Sequence, residues 1–487
     1  MATTEKSQVG AKIVAAQKAG KDLAKTFHKE LEKALADNGA ASRHRENNLK
    51  QETVAELSEK IERSGVKYIY YMLPTLGSRT VAKMVPAKHF VRNLEKGIAF
   101  HRTALSDLQT NIFGNLIGGG VDAKEFIGLP DPETFQALPW DGEVGRIFCS
   151  AYEPDHFNEV GGRPLQVDSR ATMKRIHQVM KDVFGLTMKS GTEPEMVWAG
   201  ESIKTNIIPG HSPAYQVDNL EVMRPIYKRV QEYATELDFD MIEGDFEDRG
   251  QIELNWMFDE IENTADRLVT YRQICKQVAR EFGVQASFMP KPYAGSMGNG
   301  CHHNISLWDE EGNNTFEDPG RTELHLSQIG RWVVGGILKY APGMMAVFSS
   351  TVNSYKRFWD PGQFAPARGN WGLDSRGAMV RISANGRAEV RVPDAAVNPY
   401  LSHGLLVAAA AAGIGEQIEP PKPDTEGDAM PMNLGDALEL FKSSELVQAV
   451  LPPKLAELYY EMKYDDWARY CGAITEWEFN QYWEAIP

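Results

Sequence analysis

The chain has 487 residues, 42% of them hydrophobic and 24% charged, a composition typical of a globular protein with more than one folding unit. The net charge of −15 argues against a general nucleic-acid binder, because no broad basic surface is available to pair with phosphates. No apolar run approaches the ~20 residues of a membrane span. The N-terminus is charged from Glu5 onward, and the four cysteines contain no CxxC pair. We therefore expect a soluble, cytoplasmic protein with reduced thiols that binds neither nucleic acid nor membrane.

The first 50 residues are predicted to form a helical extension. Residues 5–37 are rich in Ala, Lys and Glu, and their apolar side chains recur every three, four or seven positions, which predicts an amphipathic helix. Asn38-Gly39 is a helix stop signal. The apolar stripe fits two alternatives equally, packing on a neighbour or another subunit, or a loosely attached, solvated helix.

Residues 51–150 are predicted to form a small α+β domain. An amphipathic helix at 51–65 precedes two strands, at 66–72 and 80–85, that are separated by a Gly77-Ser78 turn. The remaining residues, 151–487, are predicted to form a large α/β domain. Its predicted helices are 170–184, 225–237 and 263–282, and its predicted strands are 195–199, 251–255 and 285–289.

Two acidic motifs are candidate metal ligands. Glu193 and Glu195 lie at positions i and i+2, which share a face of a strand and suit hard cations. The segment 244–253 adds Asp245, Glu247 and Glu253. Each motif alone is weak, because exposed glutamate pairs and acidic loops are common.

A glycine-rich motif and an arginine cluster point to anionic ligands. Gly298 and Gly300 permit close approach of the backbone to a ligand, and His302 follows at once. Seven cationic residues lie between 353 and 391, namely Lys356, Arg357, Arg368, Arg376, Arg381, Arg387 and Arg391. Such a cluster in an acidic chain indicates carboxylate and phosphate ligands. With acids for metals and no Walker loop, the motifs predict phosphoryl transfer on a non-P-loop scaffold.

Six ordered motifs resemble signatures of the glutamine synthetase family. They are Glu193-Pro-Glu195, Gly250-Gln-Ile-Glu253, Phe288-Met-Pro-Lys-Pro292, Gly298-Asn-Gly-Cys-His302, Asn353-Ser-Tyr-Lys-Arg357 and Arg387-Ala-Glu-Val-Arg-Val-Pro-Asp394. The resemblance covers roughly residues 65–487. It implies an α+β glutamine synthetase fold, with a small N-terminal β-grasp-like domain (51–150) and a large catalytic α/β domain (151–487). It also implies a homo-oligomer, typically a dodecamer of two hexameric rings, in which the small domain of one subunit completes the neighbour's site.

The resemblance further implies ATP and Mg²⁺ (or Mn²⁺) as cofactors and L-glutamate and an amine as substrates. One metal site would take Glu195, Glu253 and Glu247, with Asp245 as the alternative to Glu247, and the other would take Glu193, His302 and Glu389. Arg357 would bind the α-carboxylate of glutamate and Gly298 its amino-acid part. Arg376, Arg381 and Arg391 would face the phosphates, while Ser306 and Arg387 would contact the nucleotide. The γ-carboxylate would be phosphorylated, and an amine would then attack the γ-glutamyl phosphate.

Two departures from the family concern the amine. Phe364 stands where the family has a flap glutamate, and His101 stands where it has an aspartate. Those two acids bind and deprotonate ammonium in the family. We therefore expect a γ-glutamylamide ligase for an aromatic amine such as aniline, similar to the γ-glutamylanilide synthetases. The alternatives are a ligase for an alkylamine or polyamine, glutamine synthetase using ammonia, and a non-enzymatic family member, against which the intact ligands argue.

Overall fold

The structure is a computed structural model that describes residues 22–208, 210–318, 320, 325–360 and 364–485. The α-helices and strands described before residue 160 are α1 (Leu23–Leu35), α2 (Ala40–Asn48), α3 (Gln51–Ser64), β1 (Tyr68–Pro74), β2 (Thr80–Pro86), α4 (Phe90–Lys96), β3 (Ile98–His101), β4 (Glu125–Pro130), β5 (Gln136–Leu138) and β6 (Asp141–Tyr152). The predicted helix at 51–65 and the strand at 80–85 are thus confirmed, and the strand predicted at 66–72 lies two residues further on.

These strands form a six-stranded mixed sheet in the described residues. Its order is β2-β1-β6-β4-β3, with β5 also paired to β6. The β1–β2 hairpin is antiparallel and β1 pairs in parallel with β6. Leu57 and Ile61 of α3 and Leu94 of α4 are buried in a hydrophobic core with the sheet. Gly65 ends α3 in the left-handed conformation, with φ +70°, which glycine adopts without a Cβ clash.

The N-terminal extension packs against its own chain. Leu23, Phe27 and Leu31 of α1 are buried in the largest core, and the Phe27 ring meets the edge of Phe184 at 6.2 Å. α1 is therefore not a loosely attached helix. Residues 5–21 of the predicted helix lie outside the described residues. The predicted domain boundaries at 50 and 150 stay predictions.

The remaining described elements form the larger part of the molecule. They are α5 (Ser169–Phe184), β7 (Thr187–Ala199), α6 (Val217–Glu236), β8 (Met241–Phe246), β9 (Gln251–Trp256), β10 (Asp259–Glu260), α7 (Ile261–Phe282), β11 (Gln285–Ser287), β12 (Cys301–Trp308), α8 (Gln328–Phe348), β13 (Arg368–Gly369), β14 (Trp371–Leu373), β15 (Val380–Ile382), β16 (Ala388–Val390), α9 (Pro399–Glu416), β17 (Asp428–Ala429), α10 (Leu434–Ser443), α11 (Glu445–Val450), α12 (Pro453–Cys471) and α13 (Glu476–Tyr482). None of the helices among the described residues has the length and hydropathy to cross a bilayer.

A nine-stranded sheet, as far as the chain is described, forms the centre of this part. Its order is β14-β15-β16-β12-β7-β9-β8, and β10 and β11 also pair with β7. One side is covered by α5, α8 and α9, whose apolar residues form the largest core. The helices α8 and α9 approach closely, because a Cβ on Gly336 would lie 2.2 Å from the Ala409 carbonyl. The fold is the mixed helix-and-sheet fold that the motifs implied.

Two predicted elements begin earlier than expected. α6 begins at Val217 and contains Pro225 in its interior, whereas the sequence suggested a start at the proline, a residue common in the first helical turn. β7 begins at Thr187, and its side chains alternate between partly and fully buried as far as Met196. The polar residues in its first half concealed this alternation.

Candidate active site

One face of the nine-stranded sheet carries acidic, histidine and arginine side chains from six strands. Residues directly opposite each other on neighbouring strands point to the same face, and so do residues two apart along one strand. The paired residues that share this face are Arg381 and Glu389, Glu389 and Asn304, His302 and Glu193, Glu195 and Glu253, and Glu253 and Asp245. The register alone therefore aligns the residues that the motifs singled out.

These side chains line a cleft of about 450 Å³. The predicted site residues that line it are Glu193, Glu195, Glu247, Glu253, Gly298, His302, Arg357, Phe364, Arg376, Arg381, Arg387, Glu389 and Arg391, and Asp245 joins them. Ser306 lines an adjoining cavity of about 360 Å³ together with Glu193 and Arg387. Of the predicted site residues, His101 lies outside both.

The first cluster of candidate metal ligands is Glu193, His302 and Glu389. One ligand atom from each lies within 4.8 Å of the other two. The His302 Nδ1 atom is 3.1 Å from a Glu193 oxygen and 3.5 Å from a Glu389 oxygen. Asn304 donates to the other Glu193 oxygen at 2.7 Å and so fixes that carboxylate. Two carboxylates and an imidazole at these separations fit a divalent cation.

The second cluster contains Glu195, Glu253, Asp245 and Glu247. Burial and the neighbouring Glu195 raise the pKa of Asp245 to about 6 and that of Glu247 to about 8. Burial, with Glu193 and Glu195 nearby, raises the pKa of Glu253 well above its usual value. The Asp245 Oδ1 atom is buried without a hydrogen-bond partner among the described residues. Burial and the mutual repulsion of the carboxylates explain these shifts, and the donor set fits a second divalent cation.

The glycines of the 298–302 motif are required by space. A Cβ on Gly300 would lie 2.8 Å from the His302 Nε2 atom, and a Cβ on Gly298 would lie 2.6 Å from the Arg357 Cγ atom. The Gly300 amide donates to Glu195 at 2.8 Å. The motif thus lets the backbone itself hold a carboxylate of the metal cluster.

The arginines occupy different depths of the cleft. Arg391 is buried and pairs with Glu389, while its Nε donates to the Arg376 carbonyl at 2.9 Å. Arg381 donates to the other Glu389 oxygen at 3.0 Å. Arg357 is also buried and donates to the Val392 carbonyl at 3.1 Å. Arg376 is exposed at the mouth of the cleft.

A larger chamber of about 750 Å³ adjoins the cleft. The wall common to both cavities consists of Tyr215, Glu247, Met297, Phe364 and Arg376. Tyr215 and Phe364 have φ values of 61° and 58°, a backbone region that aromatic residues rarely adopt. Strained backbone of this kind is concentrated at ligand-binding sites. The apolar part of the chamber includes Ile207, Ile208, Pro213 and Ala214.

The sequence analysis missed several residues of the site. Tyr215 lies in a loop without a motif, and Asn304 and Asn255 are ordinary strand residues in the sequence. Asn304 and Asn255 each donate to a candidate ligand, to Glu193 and to Glu253, both at 2.7 Å. A period of two from His302 and Glu253 places them on the ligand-bearing face, and this signal was available.

The chain is similar in sequence to a known family of enzymes. The family model described as glutamine synthetase, catalytic domain, matches residues 166–482. The chain belongs to the glutamine synthetase family. It is 32% identical to glutamine synthetase of Rhizobium meliloti (strain 1021) over 450 residues, which cover 87% of this chain and 98% of the relative. It is 29% identical to glutamate–methylamine ligase of Methyloversatilis universalis, over 88% of this chain and 99% of that protein.

Solved structures give the same result. A complex of GmaS with ADP superposes with a TM-score of 0.79 at 29% identity, covering 88% of this chain and 99% of the other. GmaS without ligand has a TM-score of 0.77 over the same shares. As a member of the glutamine synthetase family, the chain is an ATP-dependent ligase, and the family's use of divalent metal ions agrees with the two carboxylate clusters.

Proposed function

We propose that this glutamine synthetase family member joins the γ-carboxylate of L-glutamate to an organic amine, and that its preferred acceptor is an aromatic amine such as aniline. The observation that carries the aromatic acceptor is Phe364 in the wall between the polar cleft and the apolar chamber. An acceptor bound in the chamber would direct its amine nitrogen past these shared side chains into the cleft. The donor half of the reaction rests on the two carboxylate clusters and the arginines.

The donor half begins with phosphorylation of glutamate. Its γ-carboxylate oxygen attacks the γ-phosphorus of ATP, the bond to ADP breaks, and γ-glutamyl phosphate forms. Glu193, His302 and Glu389 would hold one Mg²⁺ or Mn²⁺ ion. Glu195 and Glu253 would hold the other, and the pairing of Asp245 opposite Glu253 favours Asp245 as the third ligand over Glu247. When bound, the cations would neutralise charge on the transferred phosphoryl group.

The arginines divide between the two substrates. Arg381, Arg391 and Arg376 would bind phosphate oxygens, and the first two are held in position by Glu389. Arg357 is buried beside Gly298, so its guanidinium would bind the α-carboxylate of a glutamate that lies along the glycine backbone.

The nucleoside would occupy the adjoining cavity that contains Ser306 and Arg387. Two of its aromatic residues, Phe258 and Trp308, are stacked with ring centroids 5.9 Å apart and an interplanar angle of 24°. Glu193 lines both this cavity and the cleft, so phosphates that extend from the cavity would meet the first metal cluster.

The acceptor half completes the reaction. The amine nitrogen attacks the γ-carbonyl carbon, phosphate leaves, and the nitrogen loses a proton to His101 or to a phosphate oxygen. An alkylamine reaches the enzyme as a cation and needs a carboxylate, whereas an arylamine is largely neutral and needs apolar surface. Phe364 can stack on an aryl ring, a contact worth on the order of 1 kcal/mol beyond area burial.

A second candidate function is ligation of an alkylamine, and Glu247 favours it. This carboxyl group also lies in the common wall, and an ammonium cation bound beside it would favour its ionised form. The glutamate–methylamine ligase among the relatives supports the same candidate.

We also propose that the active assembly is a ring-shaped homo-oligomer, a dodecamer of two hexameric rings, in which His101 acts in the neighbour's cleft. His101 is at the end of β3, outside the cleft of its own chain, where Nδ1 meets the Thr103 hydroxyl at 2.6 Å and Nε2 meets the Val121 carbonyl at 3.2 Å. The surrounding loop exposes Ile112, Phe113 and Val121. A monomeric but fully active protein, detected by light scattering with a parallel assay, would refute this assembly.

The decisive experiment for the acceptor is a panel of amines with glutamate, ATP and Mg²⁺, followed by phosphate release and identification of the amide. Aniline and cyclohexylamine form the key pair, because they are similar in size but opposite in protonation at neutral pH. The highest kcat/KM with aniline is expected. Preference for cyclohexylamine or methylamine would select the second candidate, and preference for ammonia would identify a glutamine synthetase.

A further inference from the structure

A small cavity outside the cleft contains a buried arginine with two unpaired donor atoms. Its volume is about 200 Å³, and it lies between the six-stranded sheet and α7. Arg146 of β6 lines it and is only 4% exposed. Its Nε and Nη1 atoms have no hydrogen-bond partner among the described residues, and its Nη2 atom donates to the Gln136 side chain. A buried guanidinium that is left unpaired is costly, so this arrangement calls for a ligand.

The carboxylates near Arg146 are engaged by other donors. The nearby cations Arg170 and Lys174 and the carboxylates Asp131 and Asp266 are already paired with one another. Asp266 accepts from Arg170 at 2.8 Å and from the Tyr400 hydroxyl at 2.7 Å. Asp266 therefore acts on Arg146 only through space, and none of these carboxylates accepts a hydrogen bond from the Arg146 Nε or Nη1 atom.

The charged residues at the rim of the cavity do not pair with these two donor atoms either. Glu133 and Asp238 are exposed there, where water screens them, and Arg267 pairs with Asp259 at 3.0 Å. Burial lowers the pKa of Arg146 to about 10, which still leaves the side chain cationic at neutral pH. The Phe148 ring lies 5.3 Å from the guanidinium carbon and supplies only a weak counter-charge.

We propose that this cavity is a binding site for a small anion, either an inorganic anion such as phosphate or chloride or a short carboxylate. The anion accepts hydrogen bonds from the unpaired Nε and Nη1 donors of Arg146. Because Arg146 belongs to the six-stranded sheet and Asp266 to α7, an occupied site links these two parts of the chain. The site is separate from the proposed ligase cleft, and a failure of one proposal leaves the other untouched.

Thermal unfolding of the full-length chain tests the site. Phosphate, chloride and acetate are titrated at constant ionic strength, which is balanced with a sulfonate buffer too bulky for the cavity. Binding to the folded state should raise the wild-type Tm by about 2–4 °C. The rise in Tm should grow with the logarithm of the anion concentration. Comparison of the three anions distinguishes inorganic from carboxylate ligands.

Three variants identify where the anion acts. Arg146→Gln should lose the Tm rise and, in the absence of small anions, should be as stable as the wild type or more so, because it removes a buried guanidinium with two unpaired donors. Arg376→Gln, a change in the ligase cleft, should keep the rise. Arg63→Gln, at an exposed position of α3, controls for general surface effects.

Two results would overturn the proposal. One is an unchanged anion response in Arg146→Gln. The other is an Arg146→Gln variant that is destabilised equally with and without anions, which would make Arg146 a purely structural residue. If Arg146→Gln does not fold, Arg146→Lys decides: the site predicts an anion response reduced by about half or more, since the lysine lacks the guanidinium geometry, and a full response contradicts it.

Discussion

The proposed donor and acceptor ends of the cleft are built in opposite ways. At the donor end, carboxylates are held by neighbours: Glu195 accepts from the Gly300 amide at 2.8 Å and from the Gln251 amide group at 2.9 Å. At the acceptor end, Phe364 is 52% exposed and Tyr215 61% exposed, both on loops. The donor end is preorganised on sheet strands, and the acceptor end is formed by aromatic side chains on loops.

This difference suggests how one family can use different amines. Phosphoryl transfer needs charges at fixed positions, which strands provide because pairing register determines where each side chain lies. Acceptor choice depends on a few loop side chains that can change without disturbing the sheet. Mutations at the donor end should therefore affect all acceptors alike, whereas those at the acceptor end should discriminate between them.

The largest effect is expected from the two clusters of candidate metal ligands. Glu193→Ala, Glu195→Ala and His302→Ala should each lower kcat by at least ~10³-fold for every amine, because each removes a proposed metal ligand. Phosphate release at moderate Mg²⁺ is the measurement, with circular dichroism to confirm the fold. Glu201→Gln, at an exposed position just after β7, is the matched control. Near-normal turnover in any of the three variants would exclude that residue from metal binding.

A smaller effect is expected from Asp245→Asn and Glu247→Gln, but this pair of variants distinguishes which carboxylate completes the second metal site. If Asp245 completes the second metal site, Asp245→Asn should raise the Mg²⁺ concentration required for half-maximal activity by roughly 10–100-fold or more, because the loss of a residue that only hydrogen-bonds to a ligand already weakens metal affinity to that extent. Glu247→Gln should leave that concentration nearly unchanged and alter amine preference instead. The reverse pattern would make Glu247 the metal ligand.

These two residues also mark the limit of prediction from sequence. The acids, the glycine–histidine motif and the arginines were identifiable because each chemistry needs a particular residue type at short spacing. The choice between Asp245 and Glu247 depends on the β8–β9 register, which shifts between Met241 and Glu243. No local pattern encodes such an irregularity. The pairing of Glu193 with His302 is likewise long-range, and only the family resemblance predicted that these two residues share a site.

The chamber was not predictable for a similar reason. Its wall combines Tyr215, in a long loop after β7, with Phe364, which lies nearly 150 residues further along the chain. Neither loop has a periodic pattern. The N-terminal extension shows the opposite case, since the four-residue spacing of Leu23, Phe27 and Leu31 did identify the buried face of α1.

Arg357 and Arg387 are assigned to different substrates at the donor end, Arg357 to glutamate and Arg387 to ATP. Arg357→Lys keeps the charge but loses the planar fork, so the glutamate KM should rise by roughly 10-fold or more, a loss of about 1.4 kcal/mol, while the ATP KM changes little. Arg387→Lys is the reciprocal variant and should affect ATP more than glutamate. Equal changes in both KM values for Arg357→Lys would contradict its assignment to glutamate.

The smallest expected effect concerns Phe364 and tests the acceptor end directly. Phe364→Ala removes the ring, so kcat/KM for aniline should fall about fivefold, the equivalent of the ~1 kcal/mol assigned to ring stacking, while cyclohexylamine and methylamine change less. Phe364→Leu keeps apolar bulk without an aromatic ring, and Phe364→Tyr keeps the ring. If stacking matters, Phe364→Tyr should retain the wild-type kcat/KM for aniline. Phe364→Leu should lower this kcat/KM nearly as much as Phe364→Ala does. Equal losses for all amines would mean that Phe364 only packs the loop, and acceptor choice would then have to lie with Glu247 and Tyr215 in the same wall.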